Sequence, residues 1–310
     1  MENRISEQEA AIANPRKEER SLVMDALKEA CKNFAMGVPQ LRALRLKRPR
    51  AQGVYQAPEE MVERLETYAF YALRNLRGIV GSLENLNIIE IGPGDTLISG
   101  LSLLAAGAAS YTVIERFAPD FSSAEAKERY REIEKAWPDF FPETPWPDYL
   151  KAENFPEGYP DRVKIWPIAI EEVKADRKYD VVCSYQVGEH VSDIEYFAQM
   201  NADLLAPGGV AVHRVDFGPH GCWSLYQDPL TFLRFPDWLW SMMGSNRGTP
   251  NRRRYHEFRA AFERAGLKVE VMGLELWPES VVRAARLHKR FKGMPLDSLV
   301  VGTAIFICRK

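Results

Sequence analysis

The segment Ile88-Ile89-Glu90-Ile91-Gly92-Pro93-Gly94 restricts the fold more than any other part of the chain. A short apolar run that stops on a glycine turn reads as a buried strand. Residues 95–107 follow as a predicted helix ending at Gly107. Strand, glycine turn and helix in that order bring backbone N–H groups and a helix N-terminus close to a ligand. The next predicted strand, 111–115, finishes on Glu115, 23 residues after Gly92. A carboxylate in that place can accept both hydroxyls of a ribose. The turn departs from the dinucleotide pattern G-x-G-x-x-G, because Leu97 stands at the third glycine position. Close packing of a pyrophosphate is therefore disfavoured.

The rest of the chain repeats the alternation. Further strands are expected at 162–166, 180–184, 210–215, near 267–273 and at 300–308. Helices are expected at 122–136, from Ser192 (with Glu195 as a capping box) to about 205, and at 254–265. Short apolar strands alternating with helices imply an α/β fold, a mostly parallel sheet with helices on both faces. Residues 1–84 read instead as a helical N-terminal appendage, with apolar stripes at 21–35 and from Pro58 to about 77. Residues 85–310 carry the sheet and three inserts, about 116–161, 216–250 and 275–299. The seven tryptophans lie within or beside those inserts, which makes them candidates for an aromatic lid.

Composition narrows the class. With 310 residues, 46% apolar and 27% charged, the chain is large enough to bury a core without disulfides or a structural metal. Cys31, Cys183, Cys222 and Cys308 form no CxxC pair and match no zinc spacing, as expected in a reducing cytoplasm. The formal net charge of -2 argues against a nucleic-acid partner. The basic residues Arg42, Arg45, Lys47, Arg48 and Arg50 are the one local exception. Neither a secretory signal nor an uninterrupted membrane-spanning run is expected. A homodimer is compatible with the sequence.

On these residues the chain resembles the class I, Rossmann-like S-adenosylmethionine-dependent methyltransferases of small-molecule type, over about residues 85–308. The resemblance is carried by Glu90-Ile91-Gly92-Pro93-Gly94, by Glu115, by Tyr179-Asp180-Val181-Val182 and by Leu205-Ala206-Pro207-Gly208-Gly209. It implies a seven-stranded sheet whose last strand, 300–308, is antiparallel. It implies S-adenosylmethionine as cofactor, with Gly92 and Gly94 along its methionine end and Glu90 toward the ammonium. Glu115 would take the ribose hydroxyls, Ala169 and Ile170 would flank the adenine, and Tyr185 would lie beside the methyl group. Relatives that hold the adenine amine with an aspartate have it near 167–169, where this chain has Pro167-Ile168-Ala169. The appendage resembles the lid helices of small-molecule methyltransferases.

Ser184-Tyr185-Gln186-Val187 lacks the Asn/Asp-Pro-Pro-aromatic motif of enzymes acting on adenine or glutamine amides. Methylation of an oxygen or nitrogen on a small acceptor is then expected. An RNA-directed enzyme using the 42–50 run, or a non-catalytic scaffold, are the alternatives. His190, His220 and Asp216 are the candidate catalytic residues, because imidazole titrates near neutrality and these positions follow strands four and five. Trp223, Tyr226 and Arg252 are the candidate acceptor-binding residues. An Asp–His pair can hold a divalent ion, but the spacing matches no metal motif and no metal is expected. His213 is expected to pack inside.

Overall fold

The computed structural model describes residues 21–41, 65, 69–94, 96–116, 118, 120–154 and 162–310. The basic run at 42–50, the first 20 residues and the start expected at Pro58 lie outside them. Seven strands form one sheet: β1 Asn87–Ile91, β2 Ser110–Ile114, β3 Val163–Trp166, β4 Tyr179–Tyr185, β5 Leu205–Asp216, β6 Lys268–Leu276 and β7 Val301–Arg309. Their spatial order is β3-β2-β1-β4-β5-β7-β6. Strands β1 to β5 pair in parallel, and β7 inserts antiparallel between β5 and β6. The sheet and its antiparallel last strand are those the resemblance implied.

Alternation along the strands builds two cores. Ile88, Val113, Val181 and Val212 face one core, and Ile89, Ile91, Val182 and Ala211 face the other. The first is covered by α2 (Phe70–Val80), α3 (Ile98–Ala105) and α4 (Ala124–Phe140). The second is covered by α5 (Ile194–Leu204) and, beyond α6 (Asp237–Gly244), by α7 (Tyr255–Arg264). Gly100 has a packing reason. A Cβ there would fall 1.9 Å from the Tyr111 ring, so the glycine lets α3 lie directly on β2. That close approach replaces the one a glycine at position 97 would have given.

The inserts form a third core of Trp223, Phe232, Phe235, Trp240, Met243 and Phe291. Helix α1 (Leu22–Gly37) closes over it through polar contacts. Asn33 Nδ2 donates to the Met242 carbonyl at 3.0 Å, Tyr226 Oη donates to Asp25 Oδ2 at 2.9 Å, and Glu29 pairs with Arg247. The two described N-terminal helices thus serve different cores, α2 the sheet and α1 the inserts.

Three local expectations are corrected. The N-cap of α5 is Asp193, not Ser192: Asp193 Oδ1 accepts from Glu195 N and Tyr196 N at 2.9 and 3.1 Å. Ser192 is drawn away, its hydroxyl donating to Glu171 at 2.9 Å. Helix α3 starts at Ile98, because Gly94 at φ +78° keeps the preceding turn non-helical. Strand β5 begins at Leu205, before the glycines, with a shift of register between Tyr179 and Val181.

His213 is interior, as expected. It is fully buried, its Nδ1 lies 2.7 Å from Ser184 Oγ, and its ring stacks on Phe262. Burial lowers its pKa to about 3. The unfolded chain therefore binds a proton near pH 6.5 that the native state refuses, so this residue destabilises the fold as pH falls through that window. Between pH 6.5 and 5 the loss approaches about 2 kcal/mol. Urea unfolding of the wild type and His213→Gln at pH 8 and pH 5 should show the wild type losing more stability on acidification than the variant.

Candidate active site at the strand ends

Strands β1 and β4 are neighbours, and the chain leaves them toward opposite faces of the sheet, which opens a crevice beyond their carboxyl ends. Gly92 and Gly94 turn the chain away from β1 at φ +68° and +78°, where a side chain would be strained. Gly92 N donates to the Ile114 carbonyl at 2.8 Å, and Gly94 N donates to Glu115 Oε2 at 3.0 Å. Turn and acid, 21 residues apart, are therefore joined directly. Among the described residues, no atom beyond the chain neighbours lies within 4 Å of where a Cβ on Gly94 would stand. Below them Glu90 is buried and accepts from the Tyr111 hydroxyl at 2.5 Å. Burial pushes its carboxyl up to about 7, with the Glu115 charge adding to the rise against the Tyr111 hydrogen bond.

Directly after β4 stands Gln186, a non-glycine residue at φ +55° whose N–H donates to the Arg214 carbonyl at 2.8 Å. Strained backbone of this kind survives where the surroundings fix it. The next residue connects the two halves of the crevice. A Cβ on Gly92 would fall 2.7 Å from Val187 Cγ2, so Val187 lies against the glycine turn. A short helical turn, 188–190, follows. Gly188 allows it to approach β5 and α7, since a Cβ there would meet Val215 at 2.9 Å and Phe258 at 3.2 Å.

The structure brings the three candidate catalytic residues together. The rings of His190 and His220 meet edge to face at 5.1 Å, and His220 Nε2 lies 3.3 Å from Asp216 Oδ2. Asp216 Oδ1 accepts from Gly218 N at 2.7 Å, which fixes the start of the loop. Burial and the neighbouring His220 push the His190 pKa down to about 4. As a residue His190 is exposed at the surface. Its Nδ1 lies 2.6 Å from the Gly248 carbonyl, so Nδ1 carries the proton and Nε2 keeps its lone pair. Burial opposes charge on His220, but Asp216 and then Glu189 outweigh it and its pKa is raised. Burial likewise opposes charge on Asp216, yet His220 and the Gly218 N–H hold its carboxyl below the ordinary value.

Sequence reasoning missed Glu189 and Asn251. Glu189 is 2% exposed, and neither carboxylate oxygen makes a hydrogen bond of ordinary geometry. Burial, with Asp216 adding to it, pushes its pKa up to about 8. Its one signal was its place beside His190 after a strand. Asn251 Nδ2 donates to the carbonyls of Gly188 and Val191 at 2.9 and 3.0 Å, and Asn251 N donates to the Glu189 carbonyl at 2.6 Å. Nothing in the local sequence marks it as the clasp of a turn 60 residues away.

The other candidates fall elsewhere. Tyr185 ends β4 beneath the Arg214 guanidinium, 5.0 Å from its ring centre. Ala169 and Ile170 open a short turn after β3, with Ile170 buried. Trp223, Tyr226 and Arg252 belong to the insert core. Arg252 is 3% exposed, donates to the Phe235 carbonyl at 2.6 Å, pairs with Asp237 and lies over Trp240. Trp223 packs on Phe235 and Trp240, and the half-buried Tyr226 donates to Asp25, so all three find their partners within the insert core and α1. Arg254 is also buried and donates to the carbonyls of Phe217 and Val301 at 2.6 and 2.8 Å, tying the Asp216 loop to α7. Burial pushes the Cys183 thiol up, as suits an inert interior residue.

A sequence profile for the methyltransferase domain matches residues 54–271. No curated protein matches the chain. An S-adenosylmethionine-dependent methyltransferase from Mesorhizobium loti aligns with 79% of this chain and all of its own, at 13% identity and a TM-score of 0.45. The YcgJ protein of Bacillus subtilis aligns with 77% of this chain and 98% of its own, at 11% identity and a TM-score of 0.44. Phosphoethanolamine N-methyltransferase 2 of Haemonchus contortus, solved with phosphomonomethylethanolamine and S-adenosylhomocysteine, aligns with 77% of this chain and 52% of its own, at 13% identity and a TM-score of 0.45.

Asn251→Ala removes two side-chain hydrogen bonds to buried carbonyls, each worth about 0.5–1.5 kcal/mol. Chemical denaturation should show a loss of roughly 1–3 kcal/mol, with the sheet's circular dichroism unchanged.

Proposed function

Since the chain belongs to the methyltransferase-domain family and is an S-adenosylmethionine-dependent methyltransferase, we propose that it methylates an oxygen or nitrogen of a small-molecule acceptor held at the ends of β4 and β5. The observation that carries this reading is the contact between Val187 and the Gly92 turn. It puts a polar cluster of His190, His220 and Asp216 within a few residues of the glycine turn. No described helix is long and apolar enough to cross a membrane.

The residues at the crevice fit the cofactor. The space over Gly94 is open, and Glu115 offers a carboxylate beside it. Gly92, Gly94 and Glu90 would line the methionine end, Glu115 the ribose, Ala169 and Ile170 the adenine, and Tyr185 the methyl. When bound, the cofactor supplies a methyl group already activated on a sulfonium. Alignment of the acceptor therefore contributes more than proton removal.

This chain's own residues do the rest. The Gly92 turn, packed on Val187, sets the distance between the two halves of the crevice. With Nδ1–H held by the Gly248 carbonyl, the free lone pair at Nε2 of the exposed His190 assists loss of the acceptor proton. Asp216 orients His220. A net charge of -2 supports a small acceptor over a polyanion.

Two outcomes are expected. Calorimetry with S-adenosylhomocysteine should give one site per chain, and Glu115→Ala should weaken it by about 1.5–3 kcal/mol, the scale of a hydrogen bond to a charged group. Failure of the intact protein to bind would overturn the assignment of the crevice. With an acceptor found by screening small hydroxylated and amino compounds, His190→Ala, His220→Ala and Asp216→Asn should lower turnover about 10²–10⁴-fold. Cofactor affinity should stay as it was. Wild-type turnover in all three would remove the cluster from the chemistry.

A further inference from the structure

We infer that Glu189, His190 and His220 form a binding site for one divalent first-row transition-metal ion, with Asp216 orienting His220. This rests on the reading that the acceptor is held at the ends of β4 and β5. Along the chain the three residues follow no metal spacing, but the fold places one donor atom from each within 4.8 Å of the others. A cation holding nitrogen and oxygen at about 2.0–2.2 Å needs its ligands roughly 3–3.5 Å apart. The donor atoms would have to draw together by up to about 1–2 Å to seat a cation.

The orphaned carboxylate of Glu189 is the independent sign of a ligand. It is 2% exposed; the backbone N–H groups of Glu189 and Asp216 approach it, but neither oxygen gains a hydrogen bond of ordinary geometry. Buried carboxylates are normally paired or bound to metal. A cation between Glu189 and the histidines satisfies the group.

The histidines are prepared for ligation. His190 Nδ1–H is held by the Gly248 carbonyl at 2.6 Å, which directs the Nε2 lone pair to a ligand. His220 Nε2 lies 3.3 Å from Asp216 Oδ2, which leaves Nδ1 for the metal. A ligating imidazole whose other nitrogen is bound by a carbonyl or carboxylate is the usual arrangement at protein metal centres. Two imidazoles with one carboxylate favour zinc, manganese, iron or cobalt over magnesium or calcium. Three protein ligands leave coordination positions open, and the exposed His190 gives access from solvent. A cation here takes up the Nε2 lone pair of His190, so it acts as a Lewis acid beside the acceptor in place of the histidine base. The substrate class then narrows to acceptors with a hydroxyl or amine that can ligate, such as a vicinal hydroxyl pair or a hydroxyl beside a carboxylate.

The test uses the metal alone. The full chain, stripped with chelator and dialysed, is titrated with Co²⁺ by visible absorption and with Mn²⁺ by paramagnetic resonance. One equivalent should bind, and Zn²⁺ should displace it. Glu189→Gln and His220→Ala should each weaken binding about 100-fold or more, and Asp216→Asn about 10–100-fold. His256→Gln, a histidine outside the cluster, should bind as the wild type does. S-adenosylhomocysteine affinity, measured on each variant, reports whether the crevice is intact. No stoichiometric binding, or binding unchanged in Glu189→Gln with the crevice intact, overturns the metal site. In that event a loss of turnover in the histidine variants would still support the acceptor site. Metal binding with wild-type turnover in those variants would instead remove the acceptor reading.

Discussion

The contact between Val187 and Gly92 is the constraint on which the rest of the structure depends. Strands β1 and β4 are adjacent at the middle of the sheet, and the segments that follow them run to opposite faces. A gap at that point can be filled by side chains or kept open for a ligand. Here glycine keeps it narrow: the space its Cβ would need belongs to Val187 Cγ2, at 2.7 Å. A larger residue at 92 would press on Val187 and on the 188–190 turn that carries Glu189 and His190. The positive φ at Gly92 and the positive φ at Gln186 are the backbone conditions that let the two turns meet.

Around this contact the protein keeps several ionisable groups out of water. Glu90 with Tyr111, Glu189, His213 and Arg254 are all nearly or fully buried. Each costs desolvation, and each is handled differently. Tyr111 donates to Glu90; Ser184 bonds His213; backbone carbonyls take up Arg254, whose pKa burial lowers to about 10, still charged at neutrality. Glu189 is the one among these four sites with neither a hydrogen bond nor an ion pair in ordinary geometry. The contrast separates groups that serve packing from the group that awaits a ligand.

What could be read from the sequence follows from locality. Strand and glycine turn, Glu115 after β2, and the antiparallel last strand are local patterns or carried by a resemblance, and they emerge where expected. His190, Asp216 and His220 could be singled out because each follows a strand end, and sheet geometry gathers strand ends. Glu189 was invisible because a glutamate in a polar turn is ordinary until tertiary packing buries it. Asn251 and Arg252 show the opposite limit. Both sit in one polar run, yet Asn251 clasps the 188–190 turn while Arg252 lies in the insert core with Asp237. Only contacts distant in sequence separate those roles. The aromatic inserts were readable as an excess of large apolar side chains, but their pattern does not say whether they face a cavity or each other. They face each other, under α1.

The Arg254 tether has a kinetic corollary. Its guanidinium holds the carbonyl of Phe217, directly after Asp216, and the carbonyl of Val301 at the start of β7. Swinging the first residues of that loop outward would strand a buried cation and break charge-assisted hydrogen bonds at the same moment. The 216–218 stretch is therefore no flap. A molecule at the strand ends therefore does not wait on this stretch to move.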